Sequence, residues 1–507
     1  MLRTRTRGHG VIATMVIAML AVTLVTLPAT GAPEKELTDQ NITDAIEDEL
    51  LFDSAVPANK IDVRTNEGIP TLTGTVNNVL AKQRAGRLAE TIKGVRSVIN
   101  RIKVKPAEDR SDATIRNDVI AALAYDPAAD SYELDVSVDD GVVMLEGTVQ
   151  SWKEKELAMK VAKGVRGVTA LKDAITVSYK QDRSDAEIAA EVREALKWDA
   201  LVDHSLITVK VDDAKVTLDG VVGSAAEKRQ ARHDAWVVGV KDVDATGLAI
   251  QDWAKDDQMQ RKSFPIKSSD EIKDAIKDAL VYDPRAFSFN IDVDVAGSAV
   301  TLRGKVDNML AKRAAEQVAR RTTGVTAVTN RIKVRTEEEL SESDIAANVR
   351  KALLRDPLVD RFEITVSVVD NTAYLYGDVD TYYEKSRAHD AAATAKGVTN
   401  VRNQLDVEYT DEPLVYDPYV AEHYPYTFDW YDYEPYYTFA TDAEIHDDIQ
   451  DELWWSPFVD EDQVNVKVDN GVATLTGQVD TYAEREAARE NAYEGGATWV
   501  VDKLTIK

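Results

Sequence analysis

The chain has 507 residues, 44% of them apolar and 30% charged, with 61 basic against 89 acidic side chains and a net charge of −28. That length predicts several domains rather than one catalytic fold, and the charge argues against a general affinity for nucleic acid, whose phosphates would repel the chain. Cysteine is absent, which excludes disulfides, thiolate metal sites, thiol nucleophiles and lipid attachment to an N-terminal cysteine.

Residues 1–32 read as an export signal. Arg3, Arg5 and Arg7 precede an uncharged apolar run from Val11 to Leu27, and Pro28 with the small residues Ala29 to Ala32 follows. As a helix the run would reach about 25 Å, short of a bilayer core of about 30 Å. A cleaved signal is therefore favoured over a retained anchor, which has similar flanks.

From residue 38 onward one layout recurs six times: a Ser/Thr-Asp start, an amphipathic stretch, two strand-like runs with a glycine in the second, an alanine-rich stretch, a Gly-Val corner and a last apolar run. The strand glycines are Gly74, Gly147, Gly220, Gly304, Gly377 and Gly477. The corner glycines Gly94, Gly167, Gly239, Gly324, Gly397 and Gly496 follow each by 19 or 20 residues. This spacing sets the units at 38–105, 111–178, 184–251, 269–335, 342–408 and 441–507, with a linker at 252–268 and an insertion at 409–440. Gly304 and Gly377 each lie 230 residues after their counterparts Gly74 and Gly147, and the sequence NRIKV occurs both at 100–104 and at 330–334. A block of three units was duplicated, and the second copy then gained residues ahead of its last unit.

The second unit shows the expected local structure. Ser111 is an N-cap, and Ile115, Val119, Ile120 and Leu123 share one helical face that Pro127 ends. Leu134 to Val138 and Val142 to Val149 form a hairpin about Asp140-Gly141. Ala158 to Ala162 belongs to a second helix, Gly167 fits its left-handed C-cap, and Ala174 to Val177 closes the unit as a strand. The fold class is α+β: a tandem array of six small two-layer units, each helix-strand-strand-helix-strand, with both helices on one face of a three-stranded sheet. A glycine inside the second strand implies a bulge or the close approach of a helix.

Thr71-Leu72-Thr73-Gly74-Thr75-Val76 with Gly94-Val95, and the equivalent residues of every unit, resemble the BON domain. The resemblance covers nearly all of the chain after the signal. It implies an exported protein of envelope or membrane interfaces, for which a periplasmic location is expected, linked to osmotic or envelope stress; some members are transport-associated or chaperone-like.

No catalytic constellation repeats. His9, His204, His233, His389, His423 and His446 occupy non-equivalent positions, and no phosphate-binding glycine loop or nucleophile elbow occurs. Acidic pairs such as Asp139-Asp140 and Asp469-Asn470 fall at hairpin turns, where these residues favour the local geometry, and no complete calcium loop is present. A non-enzymatic protein is expected, with no cofactor and no metal site.

Charge is more informative. The segment Lys82 to Lys105 carries +7, and so does Arg303 to Arg335, whereas the last 100 residues hold −19. One reading makes the basic runs solvated helix faces. The other makes them paired cationic patches for a membrane surface or anionic phospholipid, with Lys82, Arg84, Arg87, Lys93, Arg96, Lys312, Arg313, Arg320 and Arg321 as binding residues. The rival is a scaffold or chaperone-like holdase for envelope proteins, using inter-unit grooves and the aromatic insertion, which holds eight tyrosines between Tyr416 and Tyr437. That insertion is either a strap on its neighbours or an exposed loop.

Overall fold

The computed structural model describes residues 37–53, 55–125, 134–179, 183–255, 267–286, 290–336, 340–359, 363–407 and 441–507. The expected signal and the Tyr-rich insertion lie outside the described residues.

Six α+β units follow one another, numbered 1 to 6 below. In unit 2 the first helix is Asp112–Tyr125, the hairpin Leu134–Asp139 and Val142–Val149, the second helix Trp152–Lys163 and the closing strand Ala170–Val177. The second strand is central in every sheet. It pairs antiparallel with the first strand, from Leu134 opposite Gly147 to Asp139 opposite Val142, and parallel with the closing strand, from Val142 opposite Ala170 to Val149 opposite Val177. Units 1 and 4 differ in that the closing strand is broken, into Ile99–Asn100 and Lys103–Val104 and into Ala327–Asn330 and Lys333–Val334. At each break an asparagine turns inward. The Asn100 amide donates to the Lys82 carbonyl at 2.6 Å and that of Asn330 to the Lys312 carbonyl at 2.9 Å, tying the strand to the second helix.

The Ser/Thr-Asp start has two jobs. The hydroxyl caps the first helix, as in Ser184 and Thr441, where Glu187 and Glu444 complete capping boxes. The aspartate that follows holds the hairpin turn: Asp112 accepts from the Asp140 and Gly141 amides at 3.0 and 2.9 Å, and Asp442 from Asn470 and Gly471 at 2.9 and 2.8 Å. The helix N-terminus and the tight turn are thereby locked to each other.

One glycine expectation is met and one is corrected. The strand glycines meet the close approach of a short helix: at Gly74 φ is +126° and a Cβ would stand 2.0 Å from the carbonyl oxygen of Lys60, the last residue of the 3-10 helix Ala58–Lys60, and Gly220 and Gly477 face the ends of His204–Leu206 and Glu461–Gln463 in the same way. In unit 2 the register runs unbroken through Gly147, whereas in unit 3 it shifts between Asp244 and Gly247, beside Gly220. Gly167 is not the helix C-cap. The second helix ends at Lys163 with Gly164 as cap, and Gly167 lies in the corner beyond, at φ +95°, against Ile115 of the first helix.

Helices and sheet of each unit enclose apolar residues, such as Ile42, Ile46, Leu50, Leu72, Leu88 and Ile102 in unit 1, all 3% exposed or less, and in units 4 and 5 these merge into one continuous core. The alanines of the second helix, Ala81, Ala85 and Ala89, are fully buried and let helix and sheet approach closely. Residues Leu37–Lys507 pack as one body. Three backbone bonds recur in it. The residue before the corner glycine donates to the last carbonyl of a first helix elsewhere: Lys93 to Trp455 at 3.3 Å, Arg166 to Arg355 at 2.7 Å and Thr323 to Trp198 at 2.9 Å. These join unit 1 to 6, 2 to 5 and 4 to 3.

Candidate anionic-surface site

The second helices line the seams between units, and this decides the fate of most of the expected binding residues. Arg84 is 5% exposed, ion-paired with a fully buried Asp53, and its guanidinium lies 4.9 Å from the ring centre of Tyr383 in unit 5. Lys93 sits 4.4 Å over the Trp454 ring and 4.0 Å from Glu461, both in unit 6. Arg313 pairs with Asp390 of unit 5 at 3.0 Å and contacts His389. Arg320 bonds Glu316 at 2.8 Å and the Tyr482 hydroxyl of unit 6 at 3.2 Å. These four join the protein to itself; the Arg84, Lys93 and Arg313 side chains are largely enclosed, whereas that of Arg320 stays 32% exposed. Arg87 and Arg321 are half-buried near Lys160 of unit 2. Only Arg96 is exposed, while Lys82 and Lys312 are half-buried.

The seams carry perturbed groups in consequence. Burial raises Glu156, but His233, 3.3 Å away in unit 3, together with Lys160 and Arg87, outweighs it and holds the carboxyl at about 2. Burial and the adjacent Arg313 push His389 down to about 3, so it is neutral at ordinary pH. Burial lifts Asp390 to about 6 against the pull of Arg313 and Arg387. The Trp152 and Trp236 rings stack at 4.9 Å across units 2 and 3, and Arg229 pairs with Glu90 at 2.8 Å across units 3 and 1. These groups have structural partners, and among the described residues no cluster of three acids or histidines is arranged to hold a metal ion.

Within the two basic segments most of the exposed cations lie on the closing strands. Arg101, Lys103 and Lys105 of unit 1 are exposed around the buried Ile102; Arg331, Lys333 and Arg335 of unit 4 are exposed around Ile332 and Val334. The second strand of unit 4 adds exposed Arg303 and Lys305. Arg303 pairs with Asp294, but Lys305 stands directly opposite Lys333 in the parallel register. Among the described residues neither lysine has an ion pair. Like charges set opposite on neighbouring strands repel. The sequence signal of the closing-strand cations is alternation: in NRIKV and the residue after it, every second side chain is basic and the one between is apolar.

The fold defines a class: a tandem repeat of small α+β units. The BON domain model matches residues 38–106, 111–179, 184–251, 268–336, 341–409 and 441–507. The chain belongs to the BON domain family. It is similar to osmotically-inducible protein Y of Escherichia coli (strain K12), with 29% identity over 143 residues, which are 27% of this chain and 71% of that protein. An uncharacterized protein in the gshII 5' region of Anaplasma centrale is 29% identical over 128 residues, 24% of this chain and 85% of that protein. Among solved structures, a structural protein of the type III secretion system of Chlamydia trachomatis, CdsD, aligns over 40% of this chain and 90% of its own at 14% identity, with a TM-score of 0.12.

Proposed function

We propose that this is an exported, non-enzymatic envelope protein of osmotic or envelope stress that docks on anionic phospholipid through the outward closing strands of units 1 and 4. The carrying observation is the opposed Lys305 and Lys333, flanked by Arg331 and Arg335, with its counterpart at Arg101, Lys103 and Lys105. The similarity to an osmotically inducible protein supports the stress role. A net charge of −28 keeps the chain off polyanions at long range, but screening confines that repulsion to a Debye length of about 8 Å, within which a local patch acts on its own. Each basic residue close to an anionic membrane adds about 1 kcal/mol, so a patch of three docks reversibly and two patches on one body add avidity.

Co-sedimentation of the full chain with phosphatidylglycerol-containing vesicles, against pure phosphatidylcholine, tests this. Lys103→Glu with Lys105→Glu, and Lys333→Glu with Arg335→Glu, should each weaken binding at least tenfold, and 0.5 M salt should abolish it. Equal binding by the parent and the combined variant refutes the proposal.

A further inference from the structure

The outward sheet face of unit 5 differs from those of the other units. Its central strand, Thr372–Val379, presents Tyr374 and Tyr376 outward, with Tyr376 41% exposed. The two rings are parallel to within 6°, their centres 6.3 Å apart. Register places Ser367 and Arg402 on either side of Tyr374, and Thr365 and Gln404 on either side of Tyr376. These four flanking side chains are exposed, and among the described residues none of the six makes a side-chain hydrogen bond or ion pair. The result is two parallel rows, each an aromatic ring between two hydrogen-bonding groups.

Equivalent positions elsewhere carry Thr71 and Thr73 in unit 1, Met144 and Glu146 in unit 2, Thr217 and Asp219 in unit 3, Thr301 and Arg303 in unit 4, and Thr474 and Thr476 in unit 6. The fold therefore does not require aromatic residues there, and threonine satisfies the strand.

We propose that this face of unit 5 is a binding platform for a neutral pyranose glycan. Size argues for such an occupant over a protein. Three strands about 4.8 Å apart and two rows about 7 Å apart make a surface near 10 Å on a side, far below the roughly 800 Å² per partner of a stable protein interface. Chemistry argues the same way. A pyranose ring has an apolar C–H face that stacks on tyrosine and an equatorial rim of hydroxyls that meets Ser367, Arg402, Thr365 and Gln404; tyrosine supplies both a flat apolar face and a polar end. The platform has one cation, Arg402, and lies beside exposed Asp378 and Asp406, which disfavour an anionic ligand. This site is separate from the cationic strands of units 1 and 4.

The full chain titrated with N-acetylglucosamine tetramer, cellotetraose and maltotetraose, followed by calorimetry, tests the assignment. Saturable binding of at least one tetramer is expected, weakened tenfold or more by Tyr374→Thr with Tyr376→Thr, a change the other units already tolerate. Circular dichroism and vesicle binding of that variant should match the parent. Binding of none of the three, or binding unaffected by the double substitution, overturns the proposal.

Discussion

Arg84 separates the two roles that a basic residue has in this protein. Replacing it by methionine keeps the aliphatic stem and removes the guanidinium, leaving Asp53 fully enclosed without its partner. Losing one member of a buried pair costs about 3 to 5 kcal/mol, and the lost contact with the Tyr383 ring adds about 1 to 2 kcal/mol. Unit 3 solves the same position without a charge: Gln230 bonds Asp199 at 2.8 Å, at the same 31-residue separation. Arg84→Gln should therefore cost roughly half as much as Arg84→Met, because an amide can still donate to the carboxylate. A six-unit chain need not unfold in one step, so the readout is hydrogen exchange of the Val79–Glu90 and Tyr382–Ala393 amides. An opening cost reduced by about 4 kcal/mol accelerates exchange about a thousandfold at 1.4 kcal/mol per decade. Vesicle binding should be unchanged. Exchange within threefold of the parent, together with lost vesicle binding, would refute the reasoning and return Arg84 to the surface.

Gly377→Ala should be among the most damaging single changes. A Cβ would stand 1.9 Å from the Glu363 carbonyl oxygen at φ +125°, and strain of this kind costs at least 3 kcal/mol. Gly297→Ala, at φ +65° with nothing within 4 Å of the added carbon, should cost only about 1 to 2 kcal/mol; thermal melting compares the two. Glu484 gives a pH dependence. It is 6% exposed and lines a cavity between units 3 and 6 with Asp203, Glu227 and Asp480. Burial pushes its carboxyl from 4.5 up to about 7, with Asp480 and Asp460 adding to the rise against two backbone N–H bonds. The folded state therefore holds the proton more tightly than the unfolded chain. Its stabilisation is complete below about pH 4.5, declines as pH rises and is gone above about pH 7, a change of about 3 kcal/mol. Glu484→Gln should flatten this part of the stability profile between pH 5 and 8; an unchanged profile contradicts it.

The fold was legible because each signal in it is local. Caps, hairpin turns and helical or alternating apolar spacing lie within a few residues of one another, and six repetitions remove chance. The candidate site was less legible for a physical reason. Lys82, Arg84 and Arg87 look alike in a sequence, but a helix turns 100° per residue, and which of its faces meets another unit depends on partners several hundred residues away. Asp390, paired with Arg313 across units 4 and 5, gives no local sign of that bond. The closing-strand cations could have been recognised from period-two alternation around Ile102 and Ile332. The aspartate at the helix start was also readable as a motif, though its bond to the hairpin turn emerges only in three dimensions.

The inter-unit contacts follow from the duplication. An operation that exchanges the two blocks swaps unit 1 with 4, 2 with 5 and 3 with 6. It carries the 1–6 contact onto 4–3 and leaves 2–5 in place, and the three recurring backbone bonds obey it: Lys93 to Trp455, Thr323 to Trp198, and Arg166 to Arg355. It also relates the Arg229–Glu90 seam of units 3 and 1 to the Arg320–Tyr482 seam of units 6 and 4. Self-complementary contacts of this kind arise when one surface meets a copy of itself, which a duplicated block does automatically. The two blocks meet where the corner of one unit abuts the end of a first helix of another, the second helices pair their cations at the seams, and the outward sheets are left free to diverge. The divergence occurred there: basic strands in units 1 and 4, and paired tyrosines in unit 5.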